Sequence, residues 1–263
     1  MRLTLKRHAL LYSAAGALFL AGTLQAGLVS TVNASGAFLE LGQSFGCSNA
    51  GTTTASCDFT AFGAGTFDRA SGSYQANAQY GSLDTTSVSN VYDLTPGYLS
   101  GWSTASFSDT FLLTGGIGSG TLVFVTEYWG SNVSESCDGG GCTNATVTLN
   151  TFTAHPISDG VPIIVNLPFS FSFGTLFNLN ASASTYTSAL GDDIVTREAH
   201  LRIGAIEVLD SNGKLITNYG VISGSGAAYP FETPEPGSFA LVIAALIALP
   251  IIRRKSISAC RRD

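Results

Sequence analysis

Through residues 27–233 of this chain helical periodicity is almost absent, and side chains alternate with a period of two. That is the pattern of strands with one face buried. Residues 105–111 alternate small or apolar with polar side chains, Gly115 to Gly120 make a flexible bend, and residues 121–129 are aromatic and β-branched. The two runs are expected to pair as a hairpin. Residues 143–152 give a further strand, with Val147 and Leu149 on one face and threonines on the other. Pro162 and Pro168 bracket the next apolar run. They place it at a sheet edge or where a loop meets a strand, because proline cannot donate to a ladder. Phe169, Phe171 and Phe173 share one face of the following strand, and alternation continues through residues 176–186. A last hairpin is expected from residues 200–209 through Asp210, Asn212 and Gly213 to a return at 214–217, since Asn-Gly suits a tight turn. The same three residues read as a turn rather than a calcium loop, because the later Glu and flanking helices of an EF-hand are missing.

Charged residues are only 11% of the chain, while 16 Phe and 9 Tyr supply more burial than a disordered chain has. Within 27–233 the basic residues are Arg69, Arg197, Arg202 and Lys214, against 16 acidic ones, a net charge of −12. Such a surface repels nucleic acid and anionic lipid and permits multivalent cations and neutral or cationic polymers.

The two ends have a different character. Arg2, Lys6 and Arg7 precede an apolar run, residues 9–20, and small residues then lead to a cut expected after Ala26. This is the layout of a secretory signal, and the run is too short for a spanning helix. At the other end Pro234, Glu235 and Pro236 precede 14 apolar residues, 239–252, which stop at Arg253, Arg254 and Lys255. The stretch lies below the usual span length, Pro250 weakens its last turn, and the basic stop favours a cytoplasmic end.

In order and spacing, this tail resembles the PEP-CTERM sorting signal of Gram-negative bacteria. The resemblance implies recognition by an exosortase, with Pro234, Glu235 and Pro236 as sorting motif, Arg253 to Lys255 as basic stop, and cleavage near the motif. The extra residues 256–263 depart from the usual ending. The strand at 105–111, Phe173-Gly174 with Phe177, and the segment from Gly204 to Gly213 also resemble exported domains fused to such tails. Together these imply an all-β protein, an antiparallel β-sandwich with jelly-roll-like connections. The expected layout is a signal peptide (1–26), the exported domain (27–233) and the sorting signal with its short transmembrane helix (234–263). The protein is expected to pass through the inner membrane and reach the cell surface or extracellular matrix.

The candidate disulfide cysteines are Cys47, Cys57, Cys137 and Cys142; of the three connectivities they permit, the simplest is two local bridges, Cys47 with Cys57 and Cys137 with Cys142, each stapling a loop rather than the core. Their spacing, with no nearby His, does not match a zinc site. Cys260 lies beyond the basic stop and is discarded with the tail. No nucleophile elbow, phosphate loop or His-Glu-x-x-His motif occurs, so no catalytic or metal residue and no cofactor is expected. His155 and His200 read as surface or sheet-edge residues. Glu40, Glu127, Glu198 and Glu207 lie on or near expected strands and form a glycosidase pair only if two of them converge. Asp192-Asp193 reads as a solvated turn. Trp102 and Trp129, with Tyr98 and Tyr128, are candidate sugar contacts, although aromatics in strands more often serve the core. Asn33, Asn132, Asn144 and Asn180 each head an Asn-x-Ser/Thr triplet and mark exposed positions. The expected partners are an exosortase and an extracellular polysaccharide, with no nucleic acid. The leading expectation is a structural or adhesive matrix protein; a carbohydrate-binding module and a two-acid hydrolase are the alternatives.

Overall fold

The computed structural model describes residues 26–38, 43–62, 69–92, 97–131, 142–156, 160–190 and 193–231. The signal peptide, the sorting motif, the basic stop, Glu40, Cys137, Asn132 and Asp192 lie outside the described residues. The chain divides into Met1–Pro230 and Phe231–Asp263, and only Phe231 of the second unit is described.

The first unit is all-β: two antiparallel sheets packed face to face, with no helix among the described residues. Sheet A runs in the order β2 (Gln43–Gly51), β1 (Gly27–Phe38), β6 (Gly97–Thr114), β11 (Leu176–Leu190), β8 (Cys142–Leu149) and β9 (Phe152–Ala154). A short β13 (Gly220–Ser223) also pairs with β6. Sheet B runs β10 (Ile163–Ser172), β7 (Ser119–Trp129), β12 (Asp193–Asp210), β5 (Ser82–Tyr92), β4 (Arg69–Gln79) and β3 (Thr54–Phe62). The period-two alternation matches the two faces. Val147, Leu149, Leu122, Phe124, Leu201 and Val195 are buried, while their chain neighbours are partly or fully exposed.

The expected hairpin of residues 105–111 with 121–129 does not form. β6 and β7 lie in different sheets, because both edges of β6 are already filled by β1 with β13 and by β11. The bend, with Gly115 and Gly118 at φ 86° and 87°, instead carries the chain from one sheet to the other. Alternation reports which face a residue takes, not which sheet its strand joins. The last turn forms as expected, with Gly213 at φ 77° and the Asp210 carboxylate accepting the amides of Asn212 (2.8 Å) and Lys214 (2.9 Å). Those amides hold the Asp210 carboxyl below its usual range. The return strand is only a bridge between Leu209 and Leu215, and the chain then crosses to β13. The proline-bracketed run is an edge strand, as expected, and continues through Pro168 as β10.

Cys47 and Cys57 form a disulfide, but not a loop staple. Cys47 lies on the edge strand of sheet A and Cys57 on the edge strand of sheet B, so the bond ties the two sheets together along one side. Both side chains have the inward parity of their strands: Cys47 pairs with Ala34, and Cys57 is buried. Cys142 begins β8, opposite Ser188 of β11.

Part of the core is polar. On β5, Ser87 meets Ser103 (3.2 Å) and Thr185 (2.9 Å) of sheet A, and Ser89 meets Thr187 (2.8 Å) and the Tyr74 hydroxyl (2.7 Å). All six side chains are buried, and each hydroxyl has a partner, which offsets its desolvation. Beyond β13 the chain forms a strap. Gly224 donates to the Thr110 carbonyl on sheet A, and the Pro230 carbonyl accepts from Ile206 on sheet B. Beneath the strap Asp109, 1% exposed, accepts the amides of Thr110 and Ser225 and the hydroxyls of Ser223 and Ser225. Tyr229 is buried edge-on against Phe111, and desolvation followed by the nearby Asp109 charge pushes its phenol pKa up.

Candidate functional site

The two sheets differ sharply in charge. The strands of sheet A contain one charged residue, Asp109, and it is buried; those of sheet B contain ten. The strands of sheet A therefore place no charged side chain on its outer face, in a domain whose net charge is −12.

That face is built from the outward parity of β2, β1, β6, β11 and β8. One register row runs Ser48, Asn33, Trp102, Tyr186, Asn144, so the indole and the phenol sit side by side between two carboxamides. Trp102 is 45% exposed and Tyr186 38%. Tyr98, 36% exposed, lies four residues along β6 opposite Leu190, about 13 Å from Trp102 at the usual strand rise. In the other direction come rows of small hydroxyls: Thr104 with Ser184 and Thr146, then Ser106 with Ser182 and Thr148. Two shallow grooves mark the same face. One, of about 400 Å³, is rimmed by Thr31, Asn33, Ser48, Asn49 and Trp102. The other, of about 330 Å³, is rimmed by Val29, Ser106, Thr148, Asn150, Asn180 and Ser182. Asn33, Asn144 and Asn180 all lie on this face, the last two exposed.

This arrangement suits a neutral polyhydroxylated ligand. Aromatic faces offer apolar contact to the C–H faces of sugar rings, and hydroxyls and carboxamides both donate and accept hydrogen bonds. No fixed charge has to be desolvated when the face is covered.

Trp129 is not part of it. It sits on the outer face of sheet B with its ring stacked on His200, centroids 4.9 Å apart and planes at 12°. His200 Nδ1 lies 2.7 Å from Asp84 Oδ1 and its Nε2 lies 3.8 Å from Glu198 Oε2, which accepts the Ser131 hydroxyl at 2.9 Å. Tyr128 faces inward against Phe152, ring centroids 5.9 Å apart. The four aromatics therefore separate into Trp102 and Tyr98 on one face, Trp129 on the opposite face and Tyr128 in the interior. Tyr186 was missed, although of the two aromatics on β11 it is the one at outward parity, flanked by small residues. The partnership of His200 with Asp84 spans 116 residues and leaves no local signal.

Among the described residues two carboxylates, Asp84 and Glu198, flank one imidazole, that of His200, on the outer face of sheet B. Glu127 and Glu207 take outward parity on sheet B, and Asp109, the one buried carboxylate among the described residues, is held by the strap. No group of three His, Cys, Asp or Glu suited to a metal occurs among the described residues. His155 Nδ1 lies 3.1 Å from the Ala145 carbonyl, at the end of β9. Arg197, 3% exposed, points inward, and its guanidinium donates to the carbonyls of Ser131 and Pro156; desolvation lowers its pKa. No family model, no curated protein and no solved structure matches the chain.

Proposed function

We propose that this chain is an exported, non-enzymatic protein, sorted by an exosortase at its Pro234-Glu235-Pro236 tail and retained in an extracellular polysaccharide matrix, where it is structural and adhesive. In this reading the signal peptide and the short apolar span with its basic stop are transient, the inner membrane is a stage in export, and the sandwich has jelly-roll-like connections. The observation that carries the adhesive part is the uncharged outer face of sheet A, with Trp102 and Tyr186 side by side among Ser, Thr and Asn. The same observation favours the carbohydrate-binding reading, and the two combine: adhesion is binding of polysaccharide along this face. Trp129, already stacked on His200, takes no part.

The sorting part is tested by replacing Pro234, Glu235 and Pro236 with alanines and measuring the mass and fractionation of the product. A full-length, membrane-retained form is expected, and an unchanged mature mass defeats the assignment.

A further inference from the structure

We infer that β10 is a self-association edge, and that its occupant is the β10 strand of a second copy paired antiparallel about a two-fold axis. Among the described residues β10 pairs only with β7, and no strand lies on its other side. Of the remaining edge strands, β9 is three residues long, and β2 and β3 are tied to each other by the disulfide. β10 has ten residues and no charge, and of the devices that blunt natural edges it carries only proline, Pro168, which leaves the stretch before it open.

The direction of its amides follows from one bond. Phe173 donates to the Gly118 carbonyl, which continues the β10–β7 register. Odd-numbered residues of β10 therefore face β7, and even-numbered ones turn their N–H and C=O outward. Pro168 sits at an even position, where its missing N–H costs β7 nothing. Between Pro162 and Pro168 the outward amides are those of Ile164 and Asn166.

This short window is self-complementary. With Val165 on the two-fold axis, Ile164 faces Asn166 of the second copy, and each of these two pairs exchanges both of its hydrogen bonds. The prolines then fall opposite each other and stop the ladder at both ends. The core-side residues of the window gain as well. Val165 and Leu167 are only half-buried, and Ile163 is exposed, because the sheet ends there. Pairing sets Val165 against Val165 and Ile163 against Leu167 of the second copy, covering apolar surface that a polar or charged strand would leave unmatched. Among the described residues the nearest charges, Glu127 opposite Ile164 and then Arg202, lie one and two strands back from the seam. A five-residue window is small beside a standard interface, so the contact is weak and reversible and works at the high local concentration of a matrix. It does not depend on what sheet A binds.

The test is sedimentation velocity on the processed protein from micromolar to millimolar concentration, with hydrogen exchange at the same concentrations. Two variants accompany it: Ile164→Lys, at a side chain 63% exposed, and Asn166→Pro, at an outward amide. Wild type is expected to form a dimer with concentration-dependent protection of the Ile164 and Asn166 amides. Both variants should stay monomeric with unchanged melting temperature. A monomeric wild type throughout the range overturns the inference, and so does a dimer that survives either folded variant. Exchange protection confined to another strand places the seam elsewhere and also overturns it.

Discussion

Tyr74→Phe removes one hydroxyl from the polar core and changes stability in opposite directions at neutral and alkaline pH. Tyr74 is fully buried, and its hydroxyl lies 2.7 Å from Ser89, which keeps Thr187 as a second partner after the change. The variant should therefore lose about 1 kcal/mol near neutrality, which for a domain of this size lowers the melting temperature by roughly 2–4 °C. Desolvation raises the Tyr74 phenol from 10.0 to about 12 in the folded state, opposed in part by its bond to Ser89. The unfolded chain releases this proton near pH 10, and the folded chain holds it until about pH 12. Between those values the unfolded state binds fewer protons, so stability falls as pH rises. The contribution is fully present below pH 10 and falls by about 1.4 kcal/mol per pH unit across the window. Phenylalanine has no proton to lose. Wild type should be the more stable protein at pH 7, the two should cross at about pH 11, and the variant should be the more stable above that. Urea unfolding of the processed proteins from pH 7 to 12 measures this directly, and other tyrosines, Tyr229 among them, cancel in the difference. Parallel curves with no crossing would refute the burial and bonding assigned to Tyr74.

Replacing Cys47 and Cys57 with serine opens a tie between residues ten apart in sequence, and the loop-closure estimate is a loss of about 2–3 kcal/mol, read as a shift in the urea midpoint. Asp109→Ala strands the amides and hydroxyls that the carboxylate collects, and should cost about 3 kcal/mol. It should also make residues 223–230 the first site of limited proteolysis, whereas cleavage elsewhere with the strap intact would remove Asp109 as its anchor. Trp129→Ala breaks the stack on His200 and should cost about 1 kcal/mol of stability, while polysaccharide retention stays unchanged.

Strands were legible where parity was marked by large side chains. Val147 with Leu149, the Phe169–Phe171 pair and the bracketing prolines each pointed to the right face or edge. Parity became ambiguous where both faces of a strand carry small residues. Ser87, Ser89, Ser103, Thr185 and Thr187 look like solvent-facing residues, yet they form the buried hydroxyl network between the sheets. Sheet membership was not legible at all, because the chain changes sheet at β2–β3, β5–β6, β6–β7 and repeatedly thereafter. The failed β6–β7 hairpin and the supposed loop role of the disulfide both follow from this. So does the candidate face. Nothing local in the sequence separates Trp102 from Trp129, and only strand order puts one beside Tyr186 on an uncharged face and the other against His200 on a charged one.

We propose that polysaccharide is held on the outer face of sheet A. The most direct measurement of this is retention of the processed protein on a neutral matrix polysaccharide, comparing wild type with Trp102→Ala, Tyr186→Ala and the double variant. Both side chains are substantially exposed, so the fold should survive, and circular dichroism checks that it does. Loss of one stacked aromatic should weaken binding by about 1–2 kcal/mol, close to tenfold, with retention abolished in the double variant and insensitive to salt because no charge takes part. Retention that persists in the double variant, or that falls steeply with salt, would mean that polysaccharide is not held by this face.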